Sequence, residues 1–272
     1  MTRLTGERPM QGVTPDSLLA LHDAGYKAIL DRLGSGRLLD VGCGQGFESV
    51  RMASASRAVV GVDYDHDATV QAASRWSHDG LHVAQMNAEA LGLGTGMFDW
   101  VCSSHLIEHF ERPETHVAEL SRVLAAGGSA FFLTPNEPAD FENPFHVCLF
   151  TSSTLKALLE RHFGEVWVGG LDAVERVKED FRGRRERARK VLALDVLDLR
   201  HRIPRSWYVG AYTRVLPLAY KVIARGDTGG TTGITADQFF VTDDTDDTTL
   251  VLFAIARRPL RAQADADPAS EG

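Results

Sequence analysis

The stretch RLLDVGCGQGFES, residues 37–49, sets the tightest limit on what this chain can fold into. A short apolar run closes on Asp40 and then meets Gly42, Gly44 and Gly46 at alternating positions, after which helix-forming residues resume. Glycine tolerates positive φ and carries no Cβ, so the spacing predicts a strand that turns sharply into a helix with bare main chain facing a ligand. The rhythm repeats downstream. β-like runs at 37–41, 58–62, 81–84, 98–102 and 129–133 alternate with helical patterns at 47–55, 66–76 and 114–124. That order implies right-handed crossovers and parallel strands covered on both faces, with ligands at the carboxyl ends of the strands.

Apolar residues at helical spacing over 15–33 predict an amphipathic lead-in helix, stopped by Gly34 and Gly36. After Phe150, TSSTLKALLERHF reads as a capped helix, GEVWVGG as a strand and TTLVLFAIARRP as a closing strand. Between them, 173–235 breaks the rhythm. It holds a charged helix over 174–200, the break IPRSW, a more apolar helix near 209–224, and the loop GDTGGTTG, whose glycines offer a hinge. The expected organisation is a lead-in at 1–36, a core at 37–172, a helical insertion capping the site at 173–235, one or more closing strands of the core at 236–259 and a disordered tail at 260–272.

A net charge of −8 opposes binding to nucleic acid, which rests on neutralising phosphates with Lys and Arg. Cys43, Cys102 and Cys148 show no CxxC spacing and read as buried free thiols. The opening MTRLTGERPM lacks the apolar core of a secretory signal, and no apolar run approaches the roughly 18 residues of a membrane span. The expectation is a cytoplasmic chain that does not act on nucleic acid, with oligomeric state left open.

The glycine triplet departs from the dinucleotide fingerprint, because Phe47 stands where the last glycine is wanted, and there is no Walker lysine. The spacing D-x-G-x-G-x-G instead resembles the first motif of the class I S-adenosyl-L-methionine (SAM)-dependent methyltransferases. The likeness continues in order through VVGVDYD, QMNAEALGL, FDWVCSSHLIEHF, ELSRVLAAGGSAFFLTPN and NPFHVCLFTSSTLKALLERHF. It implies a Rossmann-like, doubly wound, mostly parallel seven-stranded sheet with a helical insertion before the last strand, and SAM as cofactor. The cofactor contacts it implies are Asp40, Gly42, Cys43, Gly44, Gly46, Asp63, Tyr64, Asn87, Ala88, Glu89 and Ser104. Asp63 would bind the ribose hydroxyls, or else cap the next helix, a role Asp65 or His66 could fill. Asn87 and the Ala88 amide would read adenine, while Glu89 either joins them or caps the turn. Asp40 would order the loop or the ligand's amino group.

An acceptor hydroxyl needs a base, and histidine suits neutral pH. His105, His109 and His146 lie on segments that should border the site, and at least one is expected to be the general base. Glu108 and His109 can equally pin the loop to the sheet, and His146 can cap the helix that follows. In the quinone-pathway O-methyltransferases a Glu at the first position joins the Glu-His pair in holding a metal. Here that position is His105, a poor match to oxygen-seeking magnesium, and no metal is assigned.

The segments LTGERPMQGV, TPNEPADFENPFHVCLFT and ITADQFFVTDDTDDTTLVLFAIARRP resemble a narrower group, the actinobacterial sugar O-methyltransferases associated with methylglucose lipopolysaccharide. That resemblance implies O-methylation of a sugar or polysaccharide. Alternatives are a small-molecule N-, O- or C-methyltransferase of specialised or quinone-type metabolism, and a noncatalytic SAM-binding partner. Trp207, Tyr208, Tyr212 and Tyr220 offer either an acceptor platform or a packing face, and RVKEDFRGRRERARK either an anion contact or a solvated helix face.

Overall fold

A computed structural model of the protein describes residues 14–54, 56–140, 145–192 and 233–260. In chain order the elements are α1 (Asp16–Leu30), β1 (Gly36–Val41), α2 (Phe47–Met52), β2 (Arg57–Asp63), α3 (His66–Arg75), β3 (Leu81–Gln85), β4 (Phe98–Ser104), α4 (Pro113–Val123), β5 (Leu124–Pro135), α5 (Ser152–Leu159), β6 (Phe163–Ala173), α6 (Glu175–Leu192), β7 (Phe239–Thr242) and β8 (Val251–Pro259).

The strands form one sheet in the order β3-β2-β1-β4-β5-β8-β6-β7. β3, β2, β1, β4 and β5 run parallel, and β8, β6 and β7 add antiparallel pairings. The chain winds outward from β1 through β2 to β3 and returns to lay β4 on the other side of β1. The crevice beyond the ends of β1 and β4 is therefore the switch point where doubly wound sheets take ligands.

Strands covered on both faces read as continuous apolar runs, and β1 and β4 do so: Leu38, Leu39, Val41, Val101 and Cys102 are all fully buried. Alternate residues serve opposite faces. Leu38, Cys102, Phe131 and Phe253 pack with Ala20, Leu21, Ala24 and Ile29 of α1, whereas Leu39, Val101, Phe132 and Leu252 pack with Leu120 of α4 and Leu155 and Leu159 of α5.

The α/β, Rossmann-like class stands, with eight strands among the described residues rather than seven. The additional one is the four-residue edge β7, which pairs with β6 from Gly170↔Thr242 to Ala173↔Phe239. β5 also begins earlier than expected, because the Ala-Gly stretch after α4 is already extended and Leu124 pairs with Phe98. Cys43 and Cys102 are buried free thiols, and Cys148 is half-buried. α6 covers part of the charged helix expected over 174–200. Three of its cations are paired with acids of the chain: Lys178 with Asp172, Arg182 with Glu175 and Arg184 with Asp180. IPRSW, the helix near 209–224, the four aromatic residues at 207–220, the opening 4–13 and the tail from 261 lie outside the described residues. No described helix is long and apolar enough to cross a membrane.

Candidate functional site

The turn after β1 places Gly42, Gly44 and Gly46 at φ 81°, 54° and 71°, all in the left-handed region that favours glycine. A Cβ on Gly42 would come within 3.1 Å of Leu106, and one on Gly46 within 3.1 Å of Ala72 and 3.2 Å of Trp76. Gly42 and Cys43 donate their amides to the Val62 carbonyl, which ties the turn to β2. The Cys43 side chain is buried, so what this residue offers a ligand is main chain. The outer wall is fixed by Trp76, whose indole N–H donates to the Gln45 carbonyl at 2.8 Å and whose ring meets Phe47 edge-on.

Two carboxylates flank the turn. Asp40 is fully buried and accepts the Ser49 hydroxyl, which binds the strand to α2. Burial pushes its carboxyl up to about 6, against the pull of that hydrogen bond. Asp63 ends β2 with its Oδ2 accepting the Gly44 amide at 2.8 Å and its Oδ1 accepting the Asp65 amide at 2.9 Å. The helix that follows is capped by Asp65, which accepts from Asp67 and Ala68, so Asp63 does not cap α3. Tyr64 beside it is 59% exposed, large for an aromatic.

Asn87 turns its Oδ1 onto the Glu89 amide at 2.9 Å, making Asn87 rather than Glu89 the residue that caps this turn. Ala88 gives its carbonyl to His116 at 3.0 Å. At the end of β4 the buried Ser104 Oγ has no hydrogen-bond partner among the described residues. The residues expected around the cofactor thus assemble along the ends of β1, β2 and β4 and the turn after β3.

Beyond β4 and β5 lies a cluster of histidines around a buried acid. Glu108 is fully buried; its Oε2 accepts from the Thr134 hydroxyl at 3.1 Å, and its main-chain carbonyl accepts the Val147 and Cys148 amides. Burial works against its charge, yet His105, with His109 and His146, outweighs this and holds the carboxyl down at about 2. His105 adopts φ 51° with its Nδ1 3.6 Å from Glu108 and its ring 4.2 Å from that of His22 on α1. A non-glycine residue there is strained and persists only when its surroundings fix it. Burial, then His105, keeps His22 well below its usual pKa.

His109 donates from Nδ1 to the Phe145 carbonyl at 3.0 Å, and His146 from Nδ1 to Asp140 Oδ1 at 2.9 Å. The Asp140 and Glu108 charges raise the pKa of His146 despite the burial that opposes it. Glu108, His109 and His146 each offer a ligand atom, all within 4.8 Å of one another, so the set that could hold a metal takes His146 from the β5 loop instead of His105.

Sequence reasoning missed Asp140, His22, Trp76 and His116. Asp140 and Trp76 carried no local signal. His116 did: a histidine on the buried face of an amphipathic helix needs partners for both ring nitrogens. Burial pulls it down to about 4. Between pH 6.5 and 4 the unfolded chain therefore takes up a proton that the folded one refuses, and stability falls by about 3 kcal/mol as the pH drops. Chemical denaturation of wild type and His116→Gln across that range should show a shallower pH slope in the variant.

Residues 39–132 match the family described as methyltransferase domain. A probable S-adenosylmethionine-dependent methyltransferase of Mycolicibacterium smegmatis is 29% identical over 164 residues, 58% of this chain and 63% of that one. A ubiquinone biosynthesis O-methyltransferase of Methylococcus capsulatus is 36% identical over 107 residues, 38% of this chain and 45% of that one. The chain spans less than two thirds of the length of these curated relatives. Among solved structures, a SAM-dependent methyltransferase of Thermotoga maritima superposes with TM-score 0.55 at 15% identity, over 89% of this chain and 93% of that one, which shows a shared fold.

Proposed function

We propose, from the premise of a class I SAM-dependent methyltransferase domain, that this chain is an enzyme that methylates a hydroxyl of a sugar or polysaccharide, with His146 as general base. The observation that carries the base assignment is the 2.9 Å hydrogen bond from His146 Nδ1 to Asp140, which fixes the ring and stabilises the imidazolium formed when the ring takes a proton.

The residues present fit the cofactor. Three glycines leave the main chain bare, the Ser104 hydroxyl is buried with no partner among the described residues, and Asp63 brings to the turn a carboxylate whose oxygens can each accept more than one hydrogen bond. Asp63 would take the ribose diol, Tyr64 would cover the base, and Asn87 and Ala88 would meet its edge. Gly42 to Gly46, with Cys43 contributing main chain, would face the methionyl part, its loop ordered by Asp40. Bound SAM supplies a methyl group on a sulfonium that departs as a neutral thioether. His146 would take the proton of the acceptor hydroxyl on the ring nitrogen not bonded to Asp140 as that oxygen accepts the methyl group. Much of the remaining acceleration comes from holding acceptor and methyl in line. Support for a sugar acceptor is the likeness of the three segments quoted in the sequence analysis.

A second reading, favoured by the ligand atoms of Glu108, His109 and His146 within 4.8 Å, is metal-assisted O-methylation of a quinone-type acceptor. Two imidazoles and one carboxylate suit a zinc-like dication better than magnesium, and both rings donate their other nitrogen outward as ligating histidines do. Radiolabelled SAM offered with glycans and with reduced quinone analogues, each with and without chelator, tests both. Chelator-resistant label in a glycan is the expected result. Chelator-sensitive label in a quinol moves the assignment to the second reading, and SAM binding without turnover of any acceptor leaves a noncatalytic partner.

A further inference from the structure

We infer that His116 is a positioning residue for the cofactor, one that presets the turn at 87–90 to read adenine. The inference rests on the SAM reading and deepens it. His116 lies on α4, fully buried, with Nδ1 3.0 Å from the Ala88 carbonyl and Nε2 2.9 Å from Ser103 Oγ. A carbonyl can only accept, so Nδ1 carries the proton. In the neutral ring Nε2 is then the acceptor, and the Ser103 hydroxyl donates to it. One tautomer satisfies both partners, and a buried ring with both nitrogens bonded has no second arrangement of equal energy.

The two partners belong to distant parts of the sheet. Ser103 is paired with Val41, the residue before the glycine turn, whereas Ala88 follows β3 at the far edge. His116 therefore ties the turn after β3 to β4, two segments that β2 and β1 separate in the sheet.

It does so as the end of a ladder along α4. Glu119 accepts the Leu91 amide at 2.7 Å, and Arg122 donates to the Leu93 and Leu91 carbonyls at 2.7 and 3.0 Å while gripping Glu119 with two nitrogens. Residues 116, 119 and 122 share one helix face. Together they hold the main chain from Ala88 to Leu93, with His116 touching the residue expected at the base. The Ala88 amide itself donates no hydrogen bond to the described residues, so the ladder fixes this peptide by its carbonyl and leaves its donor for a ligand. Phe110 packs on the His116 ring at 4.7 Å between centroids and completes its enclosure.

The test is calorimetric binding of S-adenosylhomocysteine and S-inosylhomocysteine, which differ at the base edge, to wild type, His116→Leu, His116→Gln and Ser103→Ala. The wild type should prefer the adenosyl compound. His116→Leu should lose about tenfold in affinity for it and most of that preference, as expected for one buried hydrogen bond. His116→Gln, which keeps a donor and an acceptor, should recover most of both. In turnover with an accepted substrate, His116→Leu should raise KM for SAM with kcat at saturation unchanged. If His116→Leu does not fold, Ser103→Ala carries the same expectation at smaller size. Unchanged affinity and preference in the folded variants overturn the inference while leaving the cofactor reading intact. Failure of the wild type to bind either compound overturns both.

Discussion

Asp63→Ala is expected to weaken SAM binding by at least about a hundredfold without unfolding the chain. Hydrogen bonds to a charged group contribute about 1.5–3 kcal/mol each, and on the proposed reading a ribose diol would donate two of them to this carboxylate. The same substitution removes the acceptor of the Gly44 and Asp65 amides, so the glycine turn loses one of its ties to β2 as well as the ligand its partner. Asp63→Asn should fall between, since an amide keeps one acceptor oxygen and replaces the other with a donor. The Asp63 charge also contributes to the raised carboxyl of Asp40, and its removal should let that group ionise at lower pH. Calorimetry with SAM and S-adenosylhomocysteine reads the first effect, and circular dichroism checks the fold. Wild-type affinity in Asp63→Ala would remove the ribose assignment and most of the case for the cofactor.

The other large effect is expected at His146. His146→Ala should lower kcat by about 10²–10⁴-fold, the usual range for losing a general base, with SAM affinity unaltered. The base works only when neutral, and the Asp140 and Glu108 charges favour its protonated form, so the wild-type rate should fall with decreasing pH along a limb centred above 6.5. Asp140→Asn removes the nearer charge and should move that limb to lower pH while cutting kcat less than loss of the ring. Parallel measurement of His105→Ala and His109→Ala apportions the role. Full activity in all three histidine variants would dispose of a histidine base altogether.

What the sequence made legible was local. Strand, three glycines and helix lie within fifteen residues, and Asp63 closes a run whose β character is plain, so the turn and the acid at the next strand end could be placed without knowing any long-range contact. The cap of α3 was legible only as a choice between Asp63 and its neighbours Asp65 and His66, and the fold gives it to Asp65.

Contacts between distant segments were not legible. His116 meets Ala88 across 28 residues, and His109 meets the Phe145 carbonyl across 36, so neither pattern has a spacing to announce it. The substitution of His146 for His105 in the potential ligand set has the same origin, because it depends on how the β5 loop folds back over the end of β4. The eighth strand escaped notice for a different reason. FFVT is short, follows a loop and pairs only at the sheet edge, where alternation over four residues is too brief to separate from chance.

The placement of β8 has a consequence for how the chain is made. β6 meets β5 only through β8, which lies between them and is drawn from 251–259. During synthesis the parallel half of the sheet can therefore assemble while the β6–β7 pair still has no strand joining it to β5, and β5 exposes an unpaired flank including Phe131 and Phe132 until residues 251–259 are available. Such an open apolar edge is a template for wrong pairing. Chains truncated before residue 251 should thus be the species that chaperones capture, while addition of residues 251–259 closes the gap between β5 and β6.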